Sequence, residues 1–143
     1  MTAPPERGLG PGSLGKAGLK ALIASLVATL VVRSLALAAF AIPPEFPPLA
    51  GPGPTIVFTA AGALGATAVL AAIRWRSERP ARLFRRVALW TLLVSFVPDL
   101  WLLTDAAAAA FPGATPVAVG TLMVMHLAAA AAIVWALAPA RSG

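Results

Sequence analysis

Four apolar runs, each close to the length that crosses a bilayer, follow one another with short breaks between them, over residues 21–42, 55–73, 87–104 and 116–137. A hydrocarbon core of about 30 Å takes about 20 residues of helix at 1.5 Å each. A backbone in lipid must satisfy its own hydrogen bonds, and continuous runs do this as helices. The expected fold is all-α: a four-transmembrane-helix bundle running up-down-up-down over residues 19–138. A flexible, Gly- and Pro-rich tail is expected over 1–18 and a short tail over 139–143. Composition agrees, with 59% hydrophobic and 11% charged residues against about 45–50% and 25% in soluble domains.

The cations set the expected orientation. Arg74, Arg76, Arg79, Arg82, Arg85 and Arg86 crowd the break between the second and third runs, and Arg7, Lys16, Lys20 and Arg141 lie in the tails or just ahead of the first run. The other two breaks hold no Lys or Arg, only Glu45 and Asp105. Cations in short loops mark the cytoplasmic side, so both termini and the arginine loop are expected inside a plasma membrane. That loop also suits anionic lipid headgroups. The net charge of +6 therefore reflects topology, and no nucleic-acid module is present. The break over 42–54 holds six prolines and cannot continue a helix. A cleavable signal peptide over the first run is the rival reading, with Lys16 and Lys20 ahead of it and Ala39-Phe40-Ala41 at its end. The run is long for a signal core, and Arg33 interrupts it.

Three titratable residues break the apolar pattern: Arg33 in the first run, Asp99 in the third and His126 in the fourth. Counted from the cytoplasmic cations, all three fall about 20–22 Å deep, so they are expected to share one layer. Ser25, Thr29 and Arg33 fall on one face of the first helix, Ser95 and Asp99 on one face of the third, and Met123, His126 and Ala130 on one face of the fourth. Thr59 and Thr67 flank Ala63 on the second. Pro98 leaves the carbonyl of Val94 without its helical donor, within reach of the Ser95 hydroxyl. The layer of Arg33, Asp99, His126, Ser95 and Thr29 reads either as a structural lock, with Arg33 paired to Asp99, or as a site that binds a ligand or a proton. The small residues over 60–66 are expected to pack against neighbouring helices of the same bundle.

Other chemistry has little to build on. No cysteine is present, which excludes disulfides and thiolate ligands. A lone histidine with Asp99 gives at most two metal ligands, short of the usual three or four, so no metal and no cofactor are expected. Haem ligation by His126 with Met123 or Met125 is the weaker reading beside ordinary packing. No serine elbow, HExxH or phosphate loop occurs.

Arg79-Pro80 with Arg82, Ser95-Phe96-Val97-Pro98-Asp99, Gly113-Ala114-Thr115 and Leu122-Met123-Val124-Met125-His126 resemble a family of small four-helix membrane proteins from high-GC, actinobacterial-type bacteria whose function is unknown. The likeness runs from about Ala21 onward. It implies a four-span bundle in the plasma membrane and lends no activity. The expected function is thus a non-enzymatic structural or accessory membrane subunit, with a second copy or another membrane protein as possible partner. The alternatives are a small oligomeric transporter or proton-linked module titrating at Asp99 and His126, and a membrane enzyme using them as acid and base.

Overall fold

A computed structural model describes residues 11–138, so residues 1–10 of the expected 1–18 tail and the expected tail 139–143, with Arg7 and Arg141, lie outside the described residues, whereas 11–18 are helical rather than a flexible tail. The chain is all-α, with no strand among those residues. Four long helices, α1 (Pro11–Ala39), α3 (Pro52–Arg76), α4 (Pro80–Trp101) and α6 (Pro116–Leu137), are joined by two single-turn helices, α2 (Pro47–Ala50) and α5 (Asp105–Ala108). Proline punctuates this order: α2, α3, α4 and α6 each carry one in the first turn, where the missing N–H is not needed and the fixed φ suits a helix. Thr115 caps α6 by accepting from the Ala118 N–H at 3.2 Å.

Two expectations change. The first helix starts at Pro11, ten residues ahead of the apolar run, because Leu14 and Ala17 continue its buried face onto the core. Among the described residues three helices, not four, are long and apolar enough to cross a membrane: α1 from Gly12, α3 and α6. The third run was expected to continue to Thr104, but α4 stops at Trp101 and the chain turns over 102–104. Only the fifteen residues after Arg86 are free of basic charge, about 22 Å of helix, less than the hydrocarbon thickness.

In the bundle α1 packs along α6 on one side and α3 on the other, α6 carries α4, and α3 and α4 touch sparsely. At the end bearing the arginine loop, Ala21, Ala63, Leu70, Phe84, Ile133 and Leu137 form one core cluster. There Arg85 of α4 donates from Nε and Nη2 to the Ala138 carbonyl at 3.1 and 2.9 Å, a cation on the C-terminal carbonyls of α6. Lys20 Nζ lies 3.6 Å above the centre of the Trp135 ring. Gly18 meets Thr67 closely enough that a Cβ there would sit 2.8 Å from its Cγ2, a close helix approach of the kind lipid-embedded bundles use.

At the opposite end, the proline end, the segments between helices form a cap. Phe46, Leu49, Leu102 and Ala107 bury against Ala118, Val119 and Met125 of α6, filling the place beside its first turns that α4 does not reach. The two connecting segments meet at Gly113, whose φ of +79° is left-handed and whose Cβ, if present, would lie 2.9 Å from Pro43 Cβ and 3.2 Å from the Phe46 nitrogen. Gly113→Ala therefore adds left-handed strain and overpacking, about 2–4 kcal/mol together. Thermal unfolding in detergent should show a clear fall in Tm, and an unchanged Tm would mean the cap does not depend on this contact.

Candidate functional site

The sparse meeting of α3 and α4 leaves a groove. It has a volume of about 700 Å³ and uses one face of each helix: Thr55, Thr59, Gly62, Ala66 and Val69 on α3, and Ala88, Thr91, Ser95 and Asp99 on α4. Both sets recur at three- and four-residue spacing, the stripe a helix presents to one side. The floor is α6 through Leu122, Met125, His126, Ala129 and Ile133, with Thr29 of α1 at the edge. Met125 rather than Met123 accompanies His126 there.

Gly62 and Gly65 line this groove, and a Cβ on either would meet nothing within 4 Å. They were expected to pack inside the bundle. Instead Ala63, on another side of the same turn, is the fully buried small residue, against Ala21, and the two glycines hold space open. Phe58, on the rim, is 76% exposed. The groove therefore opens sideways, toward whatever surrounds the helices.

Its titratable element is one pair. Asp99 Oδ2 and His126 Nδ1 stand 2.8 Å apart, with the Asp99 side chain 7% exposed and that of His126 42% exposed. With the carboxyl ionised, Nδ1–H donates to Oδ2, and the second imidazole nitrogen is left to meet another group. The Phe96 ring lies beside the imidazole, centroids 6.4 Å apart. Depth counting brought these two residues together as expected.

Arg33 is elsewhere. Its Nη2 donates to the Leu49 carbonyl at 2.9 Å, its Nε is buried without a partner, and it does not line the groove. The expected Arg33–Asp99 pair does not form, because α3 and α6 stand between α1 and α4, and the proline segment folds back to offer the carbonyl end of α2. Thr29 donates to the Ser25 carbonyl at 2.9 Å and meets the Thr59 hydroxyl at 3.2 Å, joining α1 to α3. Ser95 donates to the Leu92 carbonyl at 2.7 Å rather than to Val94. The hydroxyl of Thr55, on the groove wall, is buried and has no partner. Sequence reasoning missed it, although Thr55, Thr59 and Gly62 recur at helical spacing on one face. In the arginine loop Arg76, Arg79, Arg82 and Arg86 are exposed, Arg74 is half-buried, and Arg85 is held on Ala138. Among the described residues no three His, Cys, Asp or Glu side chains gather as a metal set.

The pair is unequal, since Asp99 is enclosed and His126 faces the groove. His126→Ala strands a buried carboxyl and should cost about 2–3 kcal/mol, whereas Asp99→Asn keeps an acceptor for the imidazole and should cost about 1 kcal/mol or less. Denaturation of both variants in the same detergent checks the order, and equal losses would count against Asp99 depending on His126.

Comparison with curated proteins and with solved structures gives no match. Residues 11–143 match a family of unknown function, and the chain belongs to that family, DUF6069.

Proposed function

We infer that this is a multi-pass protein of the bacterial plasma membrane, with both termini in the cytoplasm, that serves as a non-enzymatic accessory by holding one small apolar or amphiphilic molecule between α3 and α4. The observation that carries this reading is the groove itself: about 700 Å³, within the range of small-molecule sites. It is apolar, kept clear by two glycines, and has one polar pair in its wall. Exposed Val57, Leu64, Val94, Val97 and Trp90 around it form a surface suited to lipid rather than water.

Four crossings follow if α4 enters from the arginine side and stops short, with the cap of α2, α5 and the segments around them completing the passage. Irregular backbone is tolerated at membrane depth where protein buries it, and the backbone here bonds locally, as in Ala107 N–H to the Thr104 carbonyl at 3.0 Å and Phe111 N–H to the Ala107 carbonyl at 2.9 Å. The arginines then lie at the inner surface, beside anionic headgroups. A second copy or another membrane protein on the exposed helix faces is compatible with the same arrangement.

The chain has no cysteine, so single cysteines report topology directly. In intact cells a membrane-impermeant maleimide should label Glu45→Cys and spare Ser77→Cys until the membrane is permeabilised; the reverse pattern would sink the orientation. Occupancy is tested by native mass spectrometry of protein released from lipid nanodiscs. The wild type should retain one lipid-sized molecule and Gly62→Leu, which fills the groove, should retain at least tenfold less at an unchanged Tm. Equal retention would remove the binding role.

A further inference from the structure

Resting on the binding role just given, we propose that the occupant is a lipid with an uncharged, hydroxyl-bearing head, one hydrocarbon chain lying along the groove and the hydroxyl at the Asp99–His126 pair. Shape comes first. The α3 wall runs from Pro54 to Val69, about 22 Å of helix. That length suits a lipid chain, and the sideways opening lets the chain enter from the bilayer without leaving it.

Charge then selects the head. No Lys or Arg lines the groove, and Arg33, at a similar height on α1, is turned to the Leu49 carbonyl. A phosphate would meet a carboxylate and an imidazole already engaged with it, with no free cation to offset its own charge. A hydroxyl suits the pair in either proton state, since it can donate to the open carboxylate oxygen or to a neutral imidazole nitrogen, and accept from a protonated one. Thr55 offers a third polar group: it lines the same wall, 5% exposed, with its buried hydroxyl unpartnered.

The test is a competition in nanodiscs, read by native mass spectrometry, among dioleoylglycerol, the same molecule acetylated at its hydroxyl, and phosphatidic acid with the same chains. Wild type should retain dioleoylglycerol at least tenfold over both others. The double variant Asp99→Leu with His126→Phe removes both polar partners together and so avoids stranding either. It should lose the preference over the acetylated lipid while still retaining a chain. Phosphatidic acid retained as well as or better than dioleoylglycerol, or no discrimination against the acetylated form, overturns the proposal. If Gly62→Leu still expels all three in that event, the groove remains a binding site and only the head chemistry is wrong. If Gly62→Leu changes nothing, the groove reading falls with it.

Discussion

The register of α4 against α6 governs the rest of the molecule, and two polar contacts pin it. Arg85 holds the Ala138 carbonyl at one end, and Asp99 meets His126 at the other. The intervals between them, fourteen residues on α4 and twelve on α6, are both about 18–21 Å of helix, so the two helices run antiparallel in step. With that step fixed, α4 overhangs α6 at the arginine end and stops beside its middle at the proline end. α6 then runs on past the end of α4 toward Pro116, and Phe46, Leu49, Leu102 and Ala107 of the cap bury against Ala118, Val119 and Met125 there.

A gap between α3 and α4 would be hard to maintain in water, where burying apolar walls against each other is favourable. In lipid that force is absent, because an acyl chain solvates a leucine as well as another leucine does. Closure then depends on shape and polar contact, and no hydrogen bond among the described residues joins α3 to α4 across the groove. Gly62 and Gly65 present no side chain to α4, and the Thr59 hydroxyl is turned to Thr29 of α1. The same small residues that would let helices approach therefore keep two of them apart, because α4 has its polar anchors on α6.

Helix positions were largely legible in the sequence, since the prolines at 47, 52, 80 and 116 mark starts as plainly as the apolar runs mark extent. Asp99 and His126 were legible as neighbours because counting residues from a charged edge measures depth in a straight helix. The end of α4 was not, because Leu102 and Leu103 continue the apolar run after the helix has stopped, and hydropathy does not register a turn. Nor was the partner of Arg33, since counting gives height and not direction around the bundle. Arg33 is near the height of the acid by that count, yet it faces a carbonyl supplied by a segment whose six prolines spoke only of a loop.

That diversion of Arg33 decides the electrostatic character of the groove. Had the guanidinium met Asp99, the pair would have been closed to further partners and the site a neutral lock. With the cation engaged by the α2 carbonyl, Asp99 has the imidazole as its polar neighbour in the wall. With the carboxyl ionised, the pair carries one negative charge or none, according to whether the imidazole is protonated. Neither state attracts an anion, and in both at least one lone pair or N–H faces a space walled by apolar side chains. Such a site discriminates by hydrogen bonding more than by charge, because an unmatched polar group costs most where water is scarce.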